Sequence, residues 1–473
     1  MQMYVAGAWE DAASADEVLS PYSGEIVDTV PRATAADAER AIEAAVEGAK
    51  QMRRLTAHER AGIVNRAADA LEAQAESIAH TMSAEEGKPL AEALAEARRT
   101  PDLLRLSASE GARLHGETIP LDSSPGAGDK LGFTIRQPCG VVVAITPFNY
   151  PLLLVAHKLG PALASGNAVV LKPAGQTPLT ALAFCRILIE AGLPENALQC
   201  ITGSGAELGP ALCADPRVRK ISFTGSTSVG EGIVRVAGVK RLSLELGSNC
   251  PMIVMPDADI DQVAAATALG GYANAGQACI SVQRVLVDRA VYGDFLDALK
   301  PRVEAIRVGD PFAEGTGVSA LITAAEAERV EATIRRAVSG GASLITGGER
   351  DGGVVRPAIV ADVTPDMDVS REELFGPAVG VTPVEGIDEA IALANDSRFG
   401  LGAGIYTRDV THALRFAREV DTGNIQINST PLWRADVMGY GGLKGSGIGK
   451  EGPRYAVEEM TELKSVVFHG IPR

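Results

Sequence analysis

Short apolar runs at 140–145, 168–171, 198–202, 219–223 and 241–246 alternate with helix-like segments near 152–165, 176–191, 205–214 and 227–237. Strands that alternate with helices form parallel β-α-β units, because each crossover must return across the sheet. Strands in this pattern make an open doubly wound sheet whose ligand crevice lies at the carboxyl ends of the strands. Asn149, Lys172, Gly203, Ser226 and Glu245 each sit at or just after one of these strand ends. Their shared placement predicts that they line one crevice.

A second alternating series begins at Met252. Strand-like runs at 282–287, 377–382, 402–406 and 423–427 are interleaved with helices near 260–273, 291–306, 323–338 and 409–418. Before both series, residues 34–115 are rich in Ala, Glu and Arg at helical spacing. Residues 117–138 read instead as a turn-rich, strand-like ribbon broken by Pro120, Pro125, Gly126 and Gly128. The chain has 473 residues, which at roughly 150 per domain implies two α/β domains, with room for a small appendage.

Composition narrows the function by exclusion. The 44 basic and 60 acidic residues leave a charge of −16, which argues against a nucleic-acid partner. No run of about 18 apolar residues predicts a membrane span, and Met1-Gln2-Met3-Tyr4 does not open a signal peptide. Six cysteines without a CxxC pair predict a reducing cytoplasm rather than a disulfide scaffold. HExxH, zinc-type clusters and the P-loop are absent, so no metal is expected.

Three side chains carry chemistry. Cys279 lies in the small-residue loop Asn274-Ala275-Gly276-Gln277-Ala278-Cys279, Glu245 in Leu244-Glu245-Leu246-Gly247, and Asn149 in Pro147-Phe148-Asn149-Tyr150-Pro151. A thiol, a carboxylate and an amide suffice to attack a carbonyl, activate a water and hold an oxyanion. Each has a plainer alternative. Cys279 alone reads as a core thiol, and Glu245 as the partner of an unseen cation. Phe223-Thr224-Gly225-Ser226 reads either as a phosphate-binding turn at a helix N-terminus or as an ordinary β-α turn. Lys172 reads as a ribose or phosphate ligand or as a solvated strand end. The GxGxxG fingerprint is absent, since Gly203, Gly205 and Gly209 have the wrong spacing. Arg105, His157 and Arg434 each read most simply as satisfied polar residues.

Taken in order, PFNYP at 147–151, GPALASGNAVVLKPA at 160–174, FTGS at 223–226, LELG at 244–247, GQAC at 276–279, EELFGP at 372–377 and YGGLKGSGIGKEG at 440–452 resemble the aldehyde dehydrogenase superfamily. The resemblance implies an NAD(P)-binding domain over 1–116 and 139–246 and a catalytic domain over 247–447. It also implies an oligomerisation element over 117–138 and 448–473, and a homodimer or homotetramer. It assigns Cys279 as nucleophile, Asn149 as oxyanion donor, Glu245 as the base for water, and Lys172 as a ribose ligand within the catalytic set. The cofactor surface it implies comprises Thr146, Pro147, Phe148, Lys172, Gly175, Gly205, Gly209, Phe223, Thr224, Gly225, Ser226, Leu246, Gly247, Glu373 and Phe375.

Within the superfamily the chain is most similar to the lactaldehyde, glyceraldehyde and phosphonoacetaldehyde dehydrogenase-like branch. That similarity implies a short hydroxylated or anionic aldehyde, with Arg105, His157, Ala278 and Arg434 about the substrate. Three departures stand out. Gly175 replaces a frequent ribose-binding glutamate, which implies that NADP is accepted beside or before NAD. Ser248 replaces a common glycine, and Ala278 a larger side chain. The competing readings are a CoA-acylating dehydrogenase, which the presence of Glu245 disfavours, and a non-catalytic binding protein, which the three chemical residues disfavour.

Overall fold

The parallel strands expected from the alternation form the centre of one large sheet. In the computed structural model, which describes residues 1–471, that sheet runs Ala8–Glu10, Met3–Val5, Leu198–Cys200, Ala168–Lys172, Val141–Ile145, Val218–Thr224, Arg241–Glu245 and Gly447–Ile448. The five strands from Leu198–Cys200 to Arg241–Glu245 are parallel, and the outer ones are antiparallel. These flanking strands carry no periodic signal. They are two or three residues long, and long-range pairing alone makes them strands.

The second sheet runs Ser343–Thr346, Ala358–Ala361, Ala378–Val384, Arg284–Asp288, Pro251–Val254, Gly402–Tyr406 and Asn424–Ile427. Both cores are built from small and branched aliphatic side chains, with few rings. The helix Leu153–Ala164 is buried along its whole length and carries His157 and Lys158 into the interior. Glu85 caps the helix Pro178–Glu190, accepting the backbone N–H groups of Leu179 at 2.7 Å and Thr180 at 2.9 Å.

The ribbon pairs with the C-terminal strand. Lys130–Pro138 runs antiparallel to Thr461–His469, from Thr461 opposite Pro138 to His469 opposite Lys130, with Thr118–Ile119 on its other edge. Residues 472–473 of the expected C-terminal element lie outside the described residues. No described helix is long and apolar enough to cross a membrane.

Candidate active site

Parallel register brings four strand ends to one level. Ile145 pairs with Lys172 and with Phe223, and Thr224 with Glu245. Above them a cleft of about 880 Å³ opens between the two sheets. Thr146, Pro147, Phe148, Asn149, Phe223, Thr224, Gly225, Ser226, Glu245, Leu246 and Gly247 line it from one side. Cys279, Glu373, Phe375 and Tyr440 line it from the other. Ser226 precedes the helix Thr227–Ala237 and makes no side-chain cap, so the free N–H groups of the first turn begin at the cleft.

The wall suits a dinucleotide. A Cβ at Gly225 would lie 2.6 Å from the Phe223 ring, and one at Gly247 would lie 2.6 Å from Glu373 Oε2. Neither position has room for a side chain. Lys172 is buried and its ammonium donates to the Pro173 carbonyl at 2.9 Å. Burial pulls it down to about 8. A Cβ on Gly205 would stand 3.7 Å from Lys172 Nζ. Glu373 Oε1 accepts from the Ser248 N–H at 2.9 Å, and burial pushes the acid up to about 7. Phe375 adopts φ 49° and meets Phe148 edge-on, with centroids 5.8 Å apart. Such a left-handed phenylalanine is strained and marks a constrained position. A Cβ on Gly175 or Gly209 would meet nothing within 4 Å, and Ala174 and Gln176 on either side of Gly175 line the cleft.

The loop that carries Cys279 is held from beneath. Asn274 and Ala275 take φ 49° and 53°, both left-handed. Asn274 donates from its amide to Glu86 Oε1 at 2.7 Å and to the Asn149 carbonyl at 3.0 Å, and from its backbone to Glu92 Oε2 at 2.8 Å. A Cβ at Gly276 would collide with the Gly376 carbonyl at 2.1 Å, so the loop closes only with glycine there. Buried Lys88 joins the same network, donating to Glu96 Oε2 at 2.6 Å and the Asn149 carbonyl at 2.7 Å. The Asn149 amide donates to the Gln277 carbonyl at 2.8 Å, which ties the amide to the loop two residues before Cys279. Its second N–H stays available to a ligand.

Cys279 Sγ lies 2.9 Å from the Tyr440 hydroxyl. Burial pushes the thiol up to about 12, with the Tyr440 hydrogen bond acting the other way. Glu245 is buried, and neither carboxylate oxygen has a hydrogen-bond partner among the described residues. The salt-bridge alternative for this residue therefore has no support. Burial first, and then the Glu451 charge, raise Glu245 well above the usual carboxylate range, while Arg434, Lys158 and Lys450 pull it down.

The expected substrate residues separate. Arg434 donates to Glu451 Oε2 at 3.4 Å, faces His157 Nδ1 at 3.4 Å, and lies 3.9 Å over the Tyr440 ring. His157 Nε2 is 3.4 Å from Asp436 Oδ1, and burial followed by the Arg434 charge lowers its pKa. Ala278 is buried next to Cys279. Arg105 is a correction: it stands on the exposed side of Leu90–Ala112, bound to Asp69 at 2.8 Å, Glu72 at 2.5 Å and Asp102 at 3.2 Å. Three carboxylates already satisfy it, and it does not reach the cleft. Arg99 on the same helix grips Asp436 at 2.7 Å and donates to the Arg434 carbonyl at 3.0 Å.

Sequence reasoning missed Lys158, Glu451, Tyr440 and Lys88. Lys158 bonds Glu451 Oε1 at 3.1 Å across a sequence separation of 293 residues, which no local pattern reveals. Glu451 and Tyr440 do lie within the string at 440–452 that carries the resemblance, and an acid among six glycines is the signal available there.

The fold and cleft define an α/β enzyme with a dinucleotide-type wall facing a partly buried cysteine. A sequence profile of the aldehyde dehydrogenase family matches residues 9–466, and the chain belongs to that family. It is 44% identical over 467 residues to a 3-sulfolactaldehyde dehydrogenase of Priestia aryabhattai, covering 99% of this chain and 98% of that protein. It is 36% identical over 471 residues to a lactaldehyde dehydrogenase of Methanococcus aeolicus, covering 99% and 100%. The solved structure of an NADP-dependent glyceraldehyde-3-phosphate dehydrogenase from Bacillus halodurans, complexed with NADP, superposes with TM-score 0.97 at 34% identity, covering 99% of each chain.

Proposed function

We propose that this protein oxidises a short hydroxylated or anionic aldehyde to the carboxylate with NAD or NADP, through a thioester on Cys279. The observation that carries this reading is the convergence of Cys279, Asn149 and an unpartnered Glu245 on one cleft. When bound, NAD(P)⁺ supplies the hydride acceptor. Cys279 adds to the aldehyde carbon to give a thiohemiacetal, whose oxygen the Asn149 amide and the Cys279 N–H hold. After oxidation, Glu245 takes a proton from water, whose oxygen attacks the thioester carbon. The carboxylate leaves and the Cys279 thiol is restored. A raised Glu245 pKa, set by burial, suits a base that must accept and release a proton near neutrality.

The anionic substrate reading rests on Arg434, whose buried Nε has no partner among the described residues, and on the relatives' named substrates. Gly175, with open space around it, supports acceptance of a 2′-phosphate and hence of NADP. The two sheets support the expected division into a cofactor domain and a catalytic domain, and the paired ribbon with exposed Leu131, Leu463 and Phe468 supports a homo-oligomer. Six free cysteines support a reducing, cytoplasmic setting.

A panel of aldehydes with each cofactor, followed at 340 nm, tests the reading. Reduced cofactor must appear with wild type and vanish with Cys279→Ala. Added CoA must yield no acyl-CoA, since its formation would favour the acylating alternative. Arg434→Ala should raise KM for an anionic aldehyde far more than for propanal. Equal effects would remove the anion-binding role.

A further inference from the structure

We infer that Tyr440 is a catalytic residue, donating a hydrogen bond from its hydroxyl to the Cys279 thiolate and holding that sulfur for attack. The inference rests on the proposed role of Cys279 as nucleophile. The geometry is direct: Oη and Sγ are 2.9 Å apart, and both residues line the cleft. The hydroxyl has no other partner among the described residues, and Tyr440 is 4% exposed. A phenol in such a place has one proton to give and one sulfur to receive it.

The ring is fixed from two directions. Its backbone pairs with Glu451, the Tyr440 N–H donating to the Glu451 carbonyl at 3.0 Å and the Glu451 N–H returning the bond at 2.6 Å. The Arg434 guanidinium lies 3.9 Å over the ring face. A cation on that face withdraws electron density from the ring and makes the O–H a stronger donor. Burial keeps the phenol protonated, as a donor must be. The apolar packing of Cys250, Ile280 and Leu401 against Tyr440 and Cys279 leaves the thiolate without another side-chain donor among the described residues. Burial works against ionising Cys279, and Tyr440 is the side chain whose hydrogen bond opposes it. Arg434, bound to an anionic substrate, thereby touches the residue that activates the nucleophile.

The test uses no aldehyde. Iodoacetamide alkylates the Cys279 thiolate, forming a thioether and releasing iodide, and peptide mass spectrometry with Cys279→Ala as control assigns the site. Below the thiol pKa the rate follows the thiolate fraction. Losing a hydrogen bond to the charged form raises that pKa by about one unit. A more basic thiolate is intrinsically more nucleophilic, which offsets part of the loss. Tyr440→Phe should therefore alkylate about three- to tenfold more slowly at every pH from 7 to 9. It should also lower kcat with little change in KM for a neutral aldehyde. Cofactor affinity and the thermal midpoint serve as checks that the fold is kept. If Tyr440→Phe fails to fold, ring-fluorinated tyrosine introduced at position 440 replaces it, and this stronger donor should speed alkylation. Alkylation that is unchanged or faster in Tyr440→Phe, or unchanged with the fluorinated ring, overturns the inference. That result is distinct from failure of the proposed function, which would appear as no aldehyde oxidation by wild type.

Discussion

Glu245 and Gly441 face each other so closely that a Cβ on Gly441 would stand 2.7 Å from Glu245 Oε1. The missing side chain keeps the carboxylate free, with both oxygens unpartnered among the described residues. Glu245→Gln preserves this shape and removes only the base. Steady-state turnover should fall about a hundredfold or more, while the first-turnover burst of reduced cofactor persists, because acylation of Cys279 precedes the step Glu245 serves. Rapid mixing at 340 nm checks this. Loss of the burst along with the steady state would place Glu245 earlier in the reaction.

Glu451 acts on Glu245 at a distance. Its charge raises Glu245, and it also partly neutralises Lys158 and Arg434, both of which lower Glu245. Glu451→Gln removes a like charge and frees two cations, and both changes pull the Glu245 pKa down. The base form then survives to lower pH, so the acid limb of kcat should move down by about one pH unit. A pH profile of thioester hydrolysis decides it, and an upward shift would contradict the geometry. Stability should fall as well, since Lys158 loses its buried acid.

Lys88 neutralises buried Glu86 and Glu96 and holds the Asn149 carbonyl. Lys88→Met leaves two buried carboxylates without their cation, which costs about 3–5 kcal/mol. Thermal and denaturant unfolding should both show the loss. Activity in the protein that remains folded should drop through kcat, because Asn149 is no longer anchored. A variant as stable as wild type would mean that the network is solvated.

A carboxylate at position 175 should select between cofactors. A Cβ there meets nothing within 4 Å, so Gly175→Glu is sterically free. Repulsion of the 2′-phosphate should lower kcat/KM for NADP about tenfold or more and spare or improve that for NAD. The ratio of the two specificity constants measures this. No change in the ratio would mean that position 175 does not face the ribose.

The central strands and most helices were legible because apolar periodicity reports burial directly: Val141–Ile145, Ala168–Lys172 and Arg241–Glu245 fall within a residue or two of their expected places. The edge strands Met3–Val5, Ala8–Glu10 and Gly447–Ile448 were not legible, since so short a segment becomes a strand only beside its partner. Cys279, Glu245 and Asn149 were visible as chemistry in unusual settings. Arg105 misled, because sequence shows a charge without showing the three carboxylates already gathered about it.

By itself, then, the sequence determined the alternating α/β architecture, the level at which strand ends collect, and the residue types able to form and hydrolyse a thioester. Those follow from local periodicity and from side-chain chemistry. The tertiary structure alone decided which charges act together: Lys158 with Glu451, Arg99 with Asp436, and Arg434 over Tyr440 and Tyr440 on Cys279. Electrostatics and hydrogen bonding depend on distance and burial, and only folding sets those for residues hundreds of positions apart.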